Sequence, residues 1–193
     1  TQWSSIIGIS FTNTGSLLCI VASADNDILV GNDTIVGRQI RNNNRNVFLI
    51  ELDTSGNLLY GALLLYGRFK YFNYYNHLTA NKIVVDQYNN LYLSLNCYDS
   101  LYIYDTSGQH IYVDSILWTN RQMKFSSAGK KLQWVSSLPG RTDFLVTDLD
   151  VDIRGNTYLS VNFSYNHKDT AIFRAAGFSP PDTSLLSVGA VFV

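Results

Sequence analysis

Short apolar runs alternate with tight polar turns along this chain, and apolar residues rarely recur at the i, i+3, i+4, i+7 spacing of a helix face. The segment Ile83-Val84-Val85-Asp86-Gln87-Tyr88-Asn89-Asn90-Leu91-Tyr92-Leu93 reads as strand, Asp, polar turn, strand. Leu149-Asp150-Val151-Asp152-Ile153-Arg154-Gly155-Asn156-Thr157-Tyr158-Leu159 repeats it, and Ile9-Ser10-Phe11-Thr12-Asn13-Thr14-Gly15-Ser16-Leu17-Leu18-Cys19 is a third copy with Thr12 in place of the Asp. The turn positions Gly15, Asn89 and Gly155 lie 74 and 66 residues apart. Gly and Asn tolerate the positive φ such a turn demands, and the Asp carboxylate has the turn amides within reach.

A second hairpin pattern interleaves with the first. Val47-Phe48-Leu49-Ile50 leads through a polar turn at Gly56 to Leu58-Leu59-Tyr60, and Met123-Lys124-Phe125 leads through Gly129 to Leu132-Gln133-Trp134; these glycines are 73 residues apart. A third apolar run separates the two patterns: Asp27-Ile28-Leu29-Val30, Ser100-Leu101-Tyr102-Ile103-Tyr104, and Thr170-Ala171-Ile172-Phe173. In the middle unit it continues through Asp105-Thr106-Ser107-Gly108 to Ile111-Tyr112-Val113, which predicts an extra hairpin. A long period built of hairpins means stacked supersecondary units, none able to bury its faces alone.

The alternation of Val151-Asp152, Gly155-Asn156 and Tyr158 with Met123-Lys124-Phe125, Gly129 and Trp134 resembles the seven-bladed β-propeller repeat family abbreviated SBBP. The resemblance covers most of the chain, cleanly in the second unit and partially in the first and third. It departs from the family in its central insertions and at Thr12. It implies an all-β fold of about three four-stranded antiparallel blades belonging to a larger propeller. The units would span about residues 4–67, 79–140 and 142–193 within a single segment, 1–193. It also implies a setting on bacterial surface or secreted proteins, or on proteins of large DNA viruses. The Asn- and Tyr-rich usage resembles that of an AT-rich genome and favours the viral setting.

Composition narrows the function classes. Of the 193 residues, 46% are hydrophobic and only 15% charged, against about 25% charged in ordinary soluble domains. That balance excludes disorder and leaves few charges for helix faces. The formal net charge of −1 argues against a nucleic-acid groove, which needs a basic stripe to neutralise phosphates. Arg38, Arg41 and Arg45 cluster, but around Asn42-Asn43-Asn44, which reads as a solvated loop. No apolar run approaches the roughly 18 residues of a membrane helix, so membrane insertion is not expected. Cys19 and Cys97 both fall in apolar strand-like runs and read as buried thiols, with a disulfide left open. Asn32-Asp33-Thr34 and Asn162-Phe163-Ser164 are glycosylation triplets that matter only on a secretory route.

The search for chemistry returns little. His77, His110 and His167 stand apart from one another and from both cysteines in sequence, outside metal-ligand spacing. Asp148, Asp150 and Asp152 fall at i, i+2, i+4, which on a strand places three carboxylates on one face. That could suit Ca²⁺, but turn chemistry and a solvated face explain it better, and no metal is expected there. Trp3, Tyr60, Trp134, Tyr92 and Tyr158 could form a carbohydrate platform, yet at matched repeat positions they read as packing between units. No nucleophile elbow and no phosphate-cradling glycine loop occurs.

No catalytic, cofactor or metal residue is therefore assigned. The expected function is a non-enzymatic structural or interaction protein, a virion component whose partners are other protein chains. A secreted or cell-surface adhesion module and a propeller hydrolase or lyase are the alternatives. Thr1–Gly8 matches Leu132–Gly140, and Gly189–Val193 resembles Arg45–Leu49. Both likenesses suggest that the chain opens and closes inside a unit, as an interior piece of a longer polypeptide.

Overall fold

The computed structural model describes residues 4–39, 45–69, 82–105, 107–114, 119–126, 130–137 and 144–163, and every regular element in them is a β-strand. The first part of the chain supplies β1 (Ser4–Phe11), β2 (Leu17–Ser23), β3 (Asp27–Val30), β4 (Asp33–Val36), β5 (Arg45–Leu52) and β6 (Leu58–Phe69). The second supplies β7 (Lys82–Val85), β8 (Leu91–Tyr104), β9 (His110–Asp114), β10 (Thr119–Ser126) and β11 (Lys131–Ser137), and β12 (Phe144–Val151) and β13 (Thr157–Phe163) follow. All pairings are antiparallel.

The pairing forms two four-stranded meanders, β1-β2-β5-β6 and β7-β8-β10-β11, with β12-β13 beginning in the same way. Each opens with the Asp- or Thr-bearing turn of the first pattern. Gly15, Asn89 and Gly155 have φ of 85°, 60° and 81°, and Gly56 in the second pattern has 84°. An ordinary side chain held there costs about 1–2 kcal/mol, which is why Gly, or Asn with its short polar side chain, stands at these turns.

The apolar faces explain why the meanders stack. Leu18, Ile20, Ala22, Val47, Leu49 and Leu64 on one face of the first meander share a core with Leu91, Leu93, Leu95, Met123 and Phe125 of the second. The first strands lie closest together: Gly8 of β1 leaves no room for a Cβ against Ile83 of β7. β7 in turn neighbours β12.

Two features differ from simple separate sheets. First, β8 serves both meanders. Its first half pairs with β7 and β10, whereas Leu101–Ile103 pair with Gly67–Leu65 of β6 and with β9. The β8–β9 hairpin expected from sequence is thus present, but it extends the outer edge of the first meander and links the two into one nine-stranded sheet. It satisfies backbone groups that an edge strand would otherwise expose. Second, Asp27–Val30 pairs with a strand the sequence did not suggest, β4, and the pair is a separate hairpin. Ile28 and Ile35 of this hairpin bury Cys19, Val21, Phe48, Ile50 and Leu63 on the far face of the first meander.

The first residues of the described chain also differ from expectation. Ser4–Gly8 form the first half of β1, paired with Ile20–Ser23 and leading directly into the first turn and β2. Gly189–Val193 and the run at Thr170–Phe173 lie outside the described residues, as do Trp3, Gly129, His77 and His167.

Candidate functional site

The turns gather at one end of the sheets. Leu17, just after the first turn, pairs with Leu52, just before the Asp53–Asn57 turn, and Leu91, just after the third, pairs with Phe125. β8 bends after residue 97 and returns alongside β6, which brings the Asp105–Gln109 turn back towards the same end.

All five turns share one backbone frame. The amide of the first residue donates to the carbonyl of the fifth, and the amide of the fourth to the carbonyl of the first, at 2.9–3.0 Å, for Thr12, Asp53, Asp86, Asp105 and Asp152 alike. The first side chain locks that frame. One carboxylate oxygen of Asp86 accepts the amides of Tyr88 (2.8 Å) and Asn90 (2.9 Å), and the other accepts Asn90 Nδ2 (2.7 Å). Asp53 and Asp152 repeat all three bonds. Asp105 accepts from the amides of Ser107 and Gln109 and from the Ser107 hydroxyl.

These bonds favour the ionised carboxylate. Asn57 holds Asp53, Ser107 holds Asp105 and Asn156 holds Asp152 below the ordinary value. Tyr92 and Tyr158, each six residues after the Asp, donate to its second oxygen at 3.1 Å. Burial, then the Asp86 charge, pushes the Tyr92 phenol well up. Where Thr12 replaces the Asp, Leu18 replaces the Tyr and the Thr12 hydroxyl instead meets Ser16, whose amide it accepts at 3.1 Å. The first unit has changed both partners together.

Successive first turns are tied to one another. The Asn13 amide donates to Asn89 Oδ1 at 2.9 Å, Asn13 Nδ2 donates to the Gln87 carbonyl, and Gln87 Nε2 donates to the Ile153 carbonyl at 3.3 Å. The positions between the locking residues therefore form a row, Asn13-Thr14, Gln87-Tyr88, Ile153-Arg154, all exposed, with Tyr88 at 69% and Ile153 at 75%. Like frames carry unlike side chains, which is an arrangement suited to recognition by contact.

No known protein family and no curated protein matches this chain.

The residues weighed for chemistry are dispersed by the fold. Asp152 is committed to its turn. Asp148 lies 3.7 Å from Lys82, both exposed, and Asp150 Oδ1 accepts the Val151 amide. Among the described residues no three His, Cys, Asp or Glu side chains gather as a metal set, and no helix is long and apolar enough to cross a membrane. His110 is exposed on β9. Cys19 is a free, buried thiol, and burial raises its pKa, so it is a poor nucleophile. Cys97 lies in β8, opposite Thr119. Asn32 stands exposed at the β3–β4 turn, and Asn162 lies in β13.

Among the described residues, the weighed aromatics Tyr60, Tyr92, Trp134 and Tyr158 do not form a platform. Tyr92 is buried with Trp134 edge-on at 6.4 Å, and Lys124 lies over its ring. Tyr60 packs against the core beneath Lys130, which also meets Glu51 at 3.4 Å. Tyr158 is 49% exposed. Within the stretch read as a solvated loop, Arg38 is anchored: its guanidinium sits 5.0 Å over the Tyr104 ring and donates to the Gly108 carbonyl at 3.0 Å, and Arg45 opens β5. Sequence reasoning missed Asn46 and Arg121. Asn46 is fully buried; its amide group donates to the carbonyls of Asp25, Asn26 and Arg38, and its oxygen accepts the Arg38 amide. Among the described residues Arg121 is the largest wholly buried side chain, in β10 opposite Leu95 and Ser137. Nothing in the residues around either separates it from a surface position.

Proposed function

We propose that this chain is a non-enzymatic scaffold of β-propeller-type units whose turn-bearing end binds other protein chains. The observation that carries the reading is the hydrogen-bonded row of first turns, with constant frames and variable exposed residues. The propeller component is supported by the repeated four-stranded meanders, by their face-to-face stacking, and by first strands that lie closest together, β1 to β7 to β12. Rigid β-scaffolds that display loops at one end are suited to recognition. The likeness to the SBBP repeat adds a setting to this reading, a virion assembly, with a bacterial surface assembly as the counterpart.

Position-specific photocrosslinking tests it. A photoreactive residue at Tyr88 or Ile153 should capture one and the same protein in the producing cell or particle, identified by mass spectrometry. The same residue at Leu29, exposed on the separate hairpin, should not capture it. Equal capture at all three sites, or none at Tyr88 and Ile153, contradicts the proposal.

A further inference from the structure

The first turn of the row has no carboxylate of its own and is served by one from a neighbouring strand. Thr12, Ser16 and Leu18 stand where the second unit has Asp86, Asn90 and Tyr92. The Ser16 hydroxyl donates to Glu51 Oε1 at 2.7 Å, so a side chain of β5 supplies the charge that the turn lacks. Lys124 lies 73 residues after Glu51, the spacing of Gly56 and Gly129. The second unit thus has the reverse arrangement, a carboxylate in its turn and a cation on the strand. The Glu51 side chain is only 13% exposed, and its other oxygen meets Lys130 of the second unit at 3.4 Å.

The Glu51 charge also orients the hydroxyls around it. A carboxylate only accepts, so the Ser16 proton points to Glu51 and the Ser16 oxygen accepts from Thr12 at 2.6 Å. Thr12 in turn accepts from the Thr14 hydroxyl at 2.8 Å and from the Ser16 amide at 3.1 Å. A one-way chain results, Thr14 to Thr12 to Ser16 to Glu51, passing through two buried hydroxyls to a cation of the next unit. Its outer end, Thr14, is exposed and is the counterpart of Tyr88 and Arg154 in the row. Lys130 also sits over the Tyr60 ring, 4.7 Å from its centroid. A cavity of about 10 Å³, room for about one water, is lined by Lys130, Tyr60 and Asp105, so charge rather than close packing holds the ammonium.

We propose that Glu51 and Lys130 form a latch through which the second unit fixes the pose of the first turn. Closed, the latch holds Thr12 and Thr14 in single rotamers and keeps the Asn13 amide on Asn89. Open, it loosens the first turn, whereas the turns at Asp86 and Asp152, each locked by its own carboxylate, keep their shape. Lys130 is 38% exposed, so salt weakens the pair and opens the latch. As a control on the turn-bearing end, the latch rests on the reading of that end as a binding surface.

Amide hydrogen exchange of the full chain tests it, with two variants of an exposed side chain. Lys130→Met removes the charge and keeps an apolar stem over Tyr60; Lys130→Arg keeps the charge. In Lys130→Met the amides of Asn13, Gly15 and Ser16 should exchange about two- to fivefold faster, the range of a partly exposed ion pair. Those of Asn89 and Asn90 should not change, and Lys130→Arg should keep the wild-type rates throughout. Sodium chloride at about 1 M, which screens charges beyond about 3 Å, should raise the wild-type rates at the same three amides and leave Lys130→Met unmoved. Unchanged rates at those amides in Lys130→Met, or an equal rise at Asn89 and Asn90, overturns the latch. The readout needs no partner, so the two readings fail separately: exchange judges the latch, and photocrosslinking at Tyr88 judges the binding surface.

Discussion

At the scale of single residues, the five turns repeat one hydrogen-bonded frame. Each locking carboxylate accepts three or more hydrogen bonds from its own turn. Such bonds favour the charged carboxylate over the neutral acid, and solvent screens them where the turn is exposed. The pKa values of Asp53, Asp105 and Asp152 are lowered in the fold by the bonds from Asn57, Ser107 and Asn156. A folded value below the unfolded one gives stability that is present above the unfolded pKa, near 3.8, and is lost as pH falls through the folded value. Urea midpoints should therefore be flat near neutrality and fall once the pH drops below about 4. Asp152→Asn should lower the midpoint at neutral pH and make the acid-side drop smaller, since that side chain no longer titrates. An acid-side drop identical in the variant and the wild type would show that the Asp152 carboxylate does not stabilise its turn.

At the scale of elements, the strands and turn frames were legible because two signals coincide. β-branched and aromatic runs mark the strands, and Gly or Asn at a fixed offset from Asp marks the turns. Thr12 shows the frame surviving a change of chemistry. Less was legible where the pattern does not name the partner. Leu101–Tyr104 reads as a strand, but nothing in it says that it pairs with β6 of the preceding meander as well as with β9. Asp27–Val30 reads as a strand, but β4, Asp33–Val36, begins with two exposed polar residues and carries one buried apolar side chain, Ile35. Asn46 was hidden because it adjoins an Asn-rich stretch. It is the residue that fastens the β3–β4 hairpin, since it reaches carbonyls on both sides of it. Asn46→Ala should cost about 1–3 kcal/mol by leaving buried polar groups unpaired. Hydrogen exchange should show faster opening of β3 and β4 than of β7 and β8. Uniform loss across all strands would mean that the hairpin is not a separately held element.

At the scale of the whole molecule, the account depends on meanders stacked face to face, with their first strands side by side and their turns aligned at one end. The exposed Lys82–Asp148 pair contributes little, about 0–1 kcal/mol. The large apolar side chains fully covered in the shared core, such as Leu49 and Leu93, contribute about 1.5–3 kcal/mol each. Stacking is therefore held by apolar faces, and the polar bonds between turns set its register. The most direct measurement is a nuclear Overhauser spectrum of uniformly isotope-labelled protein, which reports proximity between the Gly8 backbone and the Ile83 methyls and between the Gly155 backbone and the Tyr92 ring, pairs far apart in sequence and on different units. The account predicts cross-peaks for both pairs in the folded chain. Absence of both, in a sample whose β1–β2 and β7–β8 hairpin contacts are present, would contradict it.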